Sequence, residues 1–361
     1  MLTVLCDNST KIVNQALSFQ PPDRLPVFDN FWEEFEDDWR RRYNLGPDRR
    51  VADHYWTDLA ICTAEECFFP TRVRTIRQEG EFVYGDDGWG RTVRTRRGAH
   101  FAETIDRLIE SRSGLDRVRF DPPDLDQRYT RFVESVHENQ SKGRVVFAKI
   151  GGPFIRSTFI RGEVDLLVDF AEDEEFSKAL IGKVGEHLLA IGLESLRRAE
   201  LQDTGVWIFD DMCNVNAPMF SPRTFERVFL PVYRRMVSQL KQAGARWVGL
   251  HCDGNLYPFL DMLVDAGING INPVEPNASM DVTRLVRDYW KRLWFVGGLC
   301  NSKILPSGDP DRIRRHVEAV VEAARDGGIV IGSHTIGPDI TVDSYELYRR
   351  IVAERGSYRT A

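Results

Sequence analysis

The residues with the clearest chemical potential stand where an apolar run ends in His251, Cys252 and Asp253. Residues 248–250 have the composition of a buried strand, and a Gly-Asn turn follows at 254–255. Because neighbouring strand residues point to opposite faces, His251 and Asp253 should share one face, with Cys252 on the other unless the backbone turns there. A His-x-acid pair can hold zinc or act as an imidazole oriented by its carboxylate. The alternative is a structural histidine at a strand end, followed by a turn-forming Asp-Gly pair.

Three further apolar runs end in polar residues in the same way. Residues 207–209 lead into Asp210 and Asp211, residues 271–274 into Glu275, and residues 329–333 into His334. Barrel enzymes assemble their active sites from such strand ends. The four polar residues are therefore candidate catalytic groups. The adjacent carboxylates of Asp210 and Asp211 would repel each other within one site, so at least one should cap or pair elsewhere.

Glu275 and His334 each have a functional and a plainer interpretation. Glu275 lies between Pro273 and Pro276, on a stiff backbone that suits a metal ligand or a positioned base. It could equally balance the dipole of a helix that begins near Asp281. His334 stands among small residues that let a ligand approach, and its near-neutral pKa suits a metal ligand or a proton donor.

Several other residues complete the list of candidates. Cys300 follows a Gly-Gly-Leu strand end and could give zinc a thiolate, or be a loop cysteine without function. The Gly-Gly-Pro-Phe run at 151–154 predicts a tight turn at the barrel mouth. The metal candidates are thus His251, Cys252, Asp253, Cys300 and His334. The residues expected to bind a cofactor are Asn214, Asn216, Asn255, Gly152 and Phe154.

Composition narrows the class of protein. The 361 residues carry a net charge of −7, which disfavours nucleic acid as a partner. No apolar run reaches the length of about 18 residues that a membrane span needs, and residues 1–7 lack the pattern of a signal peptide. Six cysteines without dense spacing fit a reducing cytoplasm, with thiols free for metal or buried.

The order of elements predicts a parallel α/β fold. Strands are expected at 25–28, 145–150, 206–209, 247–250, 270–274, 293–296 and 329–331. Amphipathic helices alternate with them, including one across 225–236 that Pro231 should kink. No glycine-rich phosphate loop follows the first strand, and polar groups end many strands, so a closed barrel is favoured over an open doubly wound sheet.

We expect a single domain over residues 1–361. It has an amino-terminal extension at about 1–20 and an inserted hairpin at about 75–100, where two β runs flank an Asp-Asp-Gly turn within 82–93. The arginine-rich runs 40–42 and 94–97 are interpreted as solvated surfaces.

Taken in order, these motifs resemble the uroporphyrinogen decarboxylase superfamily from about residue 20 to the end. The pieces that carry the resemblance are Asp23-Arg24-Leu25-Pro26-Val27, Gly151-Gly152-Pro153-Phe154, Asp210-Asp211 with Pro218 and Ser221-Pro222, His251 to Asn255, Asn272 to Pro276, Gly297-Gly298, and Ser333-His334 with Pro338-Asp339. The resemblance implies a single (β/α)8 TIM barrel with its site at the carboxyl ends of the strands.

Within the superfamily the chain looks closer to the cobalamin- or tetrahydrofolate-linked methyltransferases than to the true decarboxylases. The arginines that bind porphyrinogen carboxylates in the latter are absent after Pro26, and Glu33 and Glu34 would repel such a substrate. In the methyltransferases, zinc is held by a His-x-Cys pair and a later cysteine. Here His251 matches the first ligand and Asp253 replaces the cysteine, so His334 or Cys300 would supply the last. A harder N/O site suits oxygen ligands, such as a methoxy group or the pterin of tetrahydrofolate.

Three hypotheses follow from the resemblance. The first is a zinc methyltransferase that acts on a small molecule in demethylation or one-carbon metabolism, with a corrinoid, free or on a corrinoid protein, or tetrahydrofolate as partner. The second is a metal-free decarboxylase or lyase of a small acid, with His334 as proton donor. The third is a non-catalytic corrinoid-binding partner. Barrels of this family often form homodimers, although no interface stripe stands out in the sequence.

Overall fold

The centre of the molecule is a curled, seven-stranded parallel sheet with helices packed around it. The structure is a computed structural model that describes residues 9–99 and 101–358, so Cys6 and residues 1–7 lie outside the described part. The strand order is β1-β6-β7-β8-β9-β10-β11, and every neighbouring pair is parallel. These strands are β1 (Leu59–Thr63), β6 (Val145–Gly151), β7 (Gly205–Phe209), β8 (Trp247–His251), β9 (Gly270–Val274), β10 (Trp294–Leu299) and β11 (Ile329–Ser333).

A second, antiparallel sheet is inserted between β1 and β6. Its four strands follow one another in chain order, and the predicted hairpin forms its two central strands. The two outer strands were not predicted, because most of their residues are exposed and no apolar alternation marks them. The strands are β2 (Arg74–Glu79), β3 (Phe82–Asp86), β4 (Arg91–Arg96) and β5 (Ala102–Arg107).

Thirteen α-helices are found among the described residues. They are α1 (Ser9–Leu17), α2 (Glu33–Tyr43), α3 (Val51–His54), α4 (Thr130–Ser141), α5 (Pro153–Arg161), α6 (Glu163–Glu172), α7 (Glu174–Ala199), α8 (Pro222–Thr224), α9 (Leu230–Gln242), α10 (Leu260–Asp265), α11 (Val282–Asp288), α12 (Pro310–Ala323) and α13 (Val342–Arg355). The kink expected at Pro231 is replaced by a π-helical segment, Phe225–Phe229, after which Pro231 lies in the first turn of α9. A proline costs no hydrogen bond there. Within the described residues, none of the helices combines the length and apolar character that crossing a bilayer requires.

The sheet curls around a core of large side chains on its concave face. Trp207, Trp247 and Trp294 belong to this inner cluster. Gly270 makes room for one of them, because a Cβ built there would lie 2.0 Å from ring atoms of Trp294. The inner face is therefore filled at its base, which leaves the carboxyl ends of the strands as the place where polar side chains can collect.

The expected eight-stranded barrel is only partly seen. Residues 25–28, predicted as the first strand, make a single parallel bridge between Val27 and Ile331 of β11. On their other side, Val27 O accepts from Asp58 N, but Val27 N donates to the side chain of Asp58. Pro26 has no N–H to donate. These two losses explain why the segment does not extend a regular ladder on either side.

Candidate functional site

Alternation along the parallel strands brings the candidate site together. Trp207 of β7 and Trp247 of β8 face the inside of the curled sheet. Every second residue of a strand shares a face, so the residues that follow Trp247 on the inner face include His251 and Asp253. The same step places Asn272 in β9 and His334 just after β11. Positions at one end of parallel neighbours meet at one rim, so residues far apart in sequence gather there.

Three side chains converge on one point at this rim. Ligand atoms of His251, Asp253 and His334 all lie within 4.8 Å of one another. Asp253 Oδ1 is 3.3 Å from Nε2 of His251 and 3.2 Å from Nε2 of His334. The oxygen is buried, yet neither contact has the geometry of a hydrogen bond. Two imidazole nitrogens therefore face a carboxylate oxygen that has no proper donor.

The outer nitrogen of each imidazole is fixed by a different acceptor. His251 Nδ1 lies 2.7 Å from Asn272 Oδ1, and the amide of Asn272 donates to Val296 O at 3.2 Å, which orients its oxygen toward the histidine. His334 Nδ1 lies 3.1 Å from Glu275 Oε1. Because both partners are acceptors, both Nδ1 atoms carry the proton, and in neutral rings the Nε2 lone pairs point at Asp253.

The cluster needs a positive charge at its centre. Two nitrogen lone pairs and a carboxylate oxygen repel one another unless a proton or a metal ion lies between them. Ligand atoms around tetrahedral zinc, each about 2.0–2.1 Å from the metal, are about 3.3 Å apart, close to the spacing of the two Nε2 atoms from Asp253 Oδ1. The donor set therefore fits zinc: two imidazole nitrogens and one carboxylate oxygen would hold the ion, and three protein ligands are the usual number in catalytic zinc sites.

Without metal, the electrostatics favour a proton on His334. Burial lowers the pKa of His334, but its contact with Glu275 and the negative charge of Asp253 outweigh burial and raise the pKa above its usual value. Burial alone would raise the pKa of Asp253, but the two histidines lower it by more, so that it lies below its usual value. Both shifts favour the charged forms, an imidazolium at His334 and a carboxylate at Asp253.

Asp211 borders the cluster, whereas Asp210 does not take part in it. Asp211 Oδ1 accepts from Asp253 N at 3.1 Å and lies 4.0 Å from Nε2 of His251. Asp210 is fully buried and accepts from Phe154 N, Ile155 N and Tyr233 OH at 3.1, 2.7 and 2.7 Å. Burial raises the pKa of Asp210 to about 7, against the lowering effect of these three donors. Its place is at the first turn of α5, not at the site.

The predicted thiol ligands also lie elsewhere. Cys252 is buried in the main core, where its Sγ accepts from Met212 N at 3.3 Å, and burial raises the pKa of the thiol well above its usual value. Cys300 is buried near α12, and its N–H donates to His316 Nε2 at 3.1 Å. Among the described residues, neither cysteine belongs to the metal-ligand group. The alternation of the strand explains Cys252, which faces away from its two neighbours.

The residues expected to bind a cofactor make contacts within the protein and lie outside the His–Asp–His cluster. Gly152 lies against Asp210, whose Cβ would be 2.0 Å from a Cβ at that position, and Phe154 is fully buried. Asn214 Oδ1 accepts from the backbone of Asn216 and Ala217, which closes a turn. Asn255 donates to Asn216 O, and its own oxygen accepts from Tyr257 N. Polar residues that follow a strand are common in turns, so sequence alone could not separate these from ligands.

Sequence reasoning missed Lys149, Glu66 and Phe209. The Phe209 ring stacks on His251 with centroids 4.1 Å apart, and Lys149 Nζ lies 5.3 Å from the centroid of the same ring. Lys149 Nζ also donates to Glu66 Oε1 at 2.7 Å. Burial lowers the pKa of Lys149 more than the Glu66 carboxylate raises it. A lone lysine in the apolar run of β6 was the signal that could have revealed this group.

The strand end before His334 is held by a buried carboxylate. Asp29 Oδ1 accepts from Ser333 N at 2.9 Å, and Oδ2 accepts from the hydroxyls of Tyr345 and Tyr348 at 3.1 and 3.2 Å. Burial raises the pKa of Asp29, although these donors and the charge of Arg349 lower it. The position of His334 therefore depends on α13 as well as on β11.

Comparison with known proteins agrees with this architecture. The family model for uroporphyrinogen decarboxylase (URO-D) matches residues 90–354. A solved structure of a methyltransferase from Methanosarcina mazei superposes with a TM-score of 0.66 at 16% sequence identity, covering 96% of this chain and 98% of that one. At that identity the likeness establishes the fold alone. No curated protein shows significant sequence similarity to the chain.

Proposed function

The chain belongs to the uroporphyrinogen decarboxylase family, and within it we propose a zinc-dependent methyltransferase. The observation that carries this proposal is the convergence of two Nε2 atoms on the buried, donorless Oδ1 of Asp253. Under the proposal His251, Asp253 and His334 hold the metal, and residues 25–28 take the place of the eighth barrel strand. When bound, zinc would act as a Lewis acid on the atom that the methyl group leaves or joins.

The residues around the cluster would position the reactants. Methyl transfer is an in-line displacement, so most of the rate should come from orientation and from charge near the leaving atom. Asn272 and Glu275 fix the two rings, and Asp211 borders the cluster. The carboxylate–imidazole pair of Glu275 and His334 makes that ring a stronger ligand than a free histidine. Two nitrogens and one oxygen form a hard site, which suits a methoxy compound or a methylated pterin better than a thiol.

The methyl partner we propose is a corrinoid, free or carried by a corrinoid protein, or tetrahydrofolate. Purified zinc-loaded protein would be mixed with cob(I)alamin and each of a panel of O-methyl and N-methyl donors, including methyltetrahydrofolate. Formation of methylcobalamin, followed by its absorption spectrum, is the expected result with at least one donor. His334→Ala should abolish it, and His316→Ala, outside the cluster, should not. If no donor gives methylcobalamin and no methyl group moves to tetrahydrofolate, the proposal fails.

A second candidate is a metal-free lyase of a small acid. It is favoured by the position of His334 between two carboxylates, 3.1 Å from Glu275 and 3.2 Å from Asp253, which suits a proton donor. The two candidates differ in metal content. Protein that shows full activity after exhaustive chelation would support the lyase, whereas activity that returns only with zinc would support the transferase.

A further inference from the structure

A cavity of about 670 Å³ lies beside the antiparallel sheet, and none of its lining residues belongs to the His–Asp–His cluster. It opens between the sheet and the segment that follows β5. Phe69, Leu108 and Val118 give it an apolar part. Its volume falls within the range of about 300–1,000 Å³ that is typical of small-molecule sites.

The charge of the cavity is opposite to that of the chain. Its carboxylates are Asp86, Asp106 and Glu110, and its six guanidinium groups are those of Arg72, Arg74, Arg91, Arg107, Arg117 and Arg119. The lining thus carries a formal charge of three positive units, in a protein whose net charge is −7. A concave surface with an excess of positive over negative groups attracts anionic ligands.

Half of these arginines are not neutralised by the protein. Arg74 pairs with Asp86 at 2.8 Å, Arg91 pairs with Asp87 at 2.5 Å, and Arg107 is 3.7 Å from Asp165. For the other three, no carboxylate of the described residues lies within ion-pair distance. They are Arg72, Arg117 and Arg119.

Two of these three arginine side chains are positioned by contacts that involve no carboxylate. The guanidinium of Arg72 stacks on the ring of Phe69, 4.1 Å from its centroid. Arg119 Nη1 donates to Asp116 O at 2.6 Å and to Val118 O at 2.9 Å, which leaves its other nitrogens available. An arginine fixed in this way loses less conformational entropy when it binds a ligand, and its planar group can bind a phosphate or carboxylate through two parallel bonds.

We propose that this cavity binds a small polyanion, a molecule whose phosphate or carboxylate groups pair with Arg72, Arg117 and Arg119. An apolar portion of the same molecule would rest on Leu108, whose side chain is exposed at the cavity. The site is separate from the His–Asp–His cluster, so its ligand need not be the methyl donor or acceptor. The proposal stands or falls independently of the reaction assigned above.

Titration calorimetry of the full chain tests it, with inorganic pyrophosphate and citrate as probes at constant ionic strength. We expect saturable binding of at least one probe, and the tighter of the two identifies phosphate or carboxylate as the recognised group. The double substitution Arg117→Ala and Arg119→Ala should weaken binding at least tenfold. Arg315→Ala is the matched control, because that arginine is exposed on α12, makes no ion pair with the described residues and lies outside the cavity; it should bind as the wild type does.

A second double variant separates the effect of charge from that of side-chain geometry. Arg117→Lys with Arg119→Lys keeps the charge and should lose less affinity than the alanine pair, even if the alanine pair folds poorly. Zinc content should stay at the wild-type level in both. The proposal is overturned if neither probe binds saturably, or if the folded double variants bind as tightly as Arg315→Ala.

Discussion

The imidazoles of His251 and His334 lie with their centroids 5.6 Å apart, on rings tilted by 59°, and both present Nε2 to the same oxygen of Asp253. His251 is the last residue of β8 and His334 follows β11, and these two strands are not neighbours in the sheet. Only the curl of the sheet brings them together.

The first prediction concerns zinc itself. The purified protein should bind one zinc ion per chain, and His251→Ala, Asp253→Ala and His334→Ala should each lower the affinity at least tenfold, because each removes one of three ligands. Elemental analysis after dialysis against a weak chelator measures this. His316→Ala removes an imidazole that binds Cys300 N instead, so it should keep its zinc. Retention of zinc by all three ligand variants would refute the assignment.

The second prediction concerns the orientation of His334. Glu275→Ala should weaken zinc binding by about 10- to 100-fold, the usual effect of losing an outer partner of a ligating histidine. Glu275→Gln keeps an oxygen acceptor but loses the charge, so its loss should be smaller. Competition with a chromogenic chelator gives both affinities. Equal affinities for the alanine, glutamine and wild-type proteins would show that Glu275 does not position the ring.

The third prediction concerns Asp58, which ties the amino-terminal segment to β1. Its carboxylate accepts from Arg24 Nη1 and Nη2 at 2.8 and 2.6 Å, from Ser9 Oγ at 2.6 Å and from Val27 N at 2.8 Å. Asp58→Asn should lower the free energy of unfolding by about 3 kcal/mol, because it removes the buried negative charge of a hydrogen-bonded ion pair. Urea denaturation at neutral pH measures the change. Asp343→Asn, at an exposed pair with Arg42, should change the unfolding free energy by less than about 1 kcal/mol.

The same group gives the protein a pH-dependent stability in acid. Burial raises the pKa of Asp58, but Arg24, Ser9 and the backbone of Val27 outweigh it, so the pKa in the folded state is below its usual value. The folded form then binds its proton less readily than the unfolded form. The stabilisation is present above the unfolded pKa of about 4 and is lost as the pH falls through the folded pKa. Urea midpoints measured from neutral to acid pH should therefore fall less steeply in Asp58→Asn than in the wild type.

The fourth prediction concerns Lys149. Lys149→Met removes the ammonium that packs on Phe209 and leaves Glu66 buried with one cation fewer. We expect methyl transfer to slow at least tenfold while zinc content is unchanged, since Lys149 is not a ligand. Lys149→Arg should recover part of the rate, and Lys303→Met, on the exposed surface, should have none of these effects. Wild-type turnover in Lys149→Met would exclude a role at the site.

Much of the parallel sheet could be predicted because its strands are apolar runs with clear ends. The predicted strands from 145 onward agree with β6 to β11 to within a few residues. The strand β1 and the irregular pairing of the segment 25–28 were not predicted, for physical reasons. β1 is only partly buried, and its apolar run carries a single β-branched residue, Ile61, so the run does not distinguish a strand from a helical turn. The segment 25–28 does not form a regular strand, because Pro26 has no N–H to donate and Val27 N donates to the side chain of Asp58 instead of to a neighbouring strand.

The candidate site was predictable where alternation decides the matter, and not elsewhere. The two-residue step places His251 and Asp253 on one face and Cys252 on the other. The partners Asn272 and Lys149 belong to other strands, and their contacts depend on register, which a single sequence does not specify. The contacts of Asp210 were not predictable, because a carboxylate at a strand end can accept from the first turn of a helix as readily as it can face a site.

The donor set of the cluster has a consequence for its durability. Zinc sites built with thiolates are vulnerable to peroxide, since oxidation of sulfur to sulfenic acid releases the metal. Here the converging atoms are two nitrogens and one oxygen, and Cys252, which lies between His251 and Asp253 in the sequence, is buried in the core, where burial raises the pKa of its thiol well above its usual value. Zinc held by these three residues, as proposed, would stay bound in oxidising surroundings that release zinc from thiolate sites.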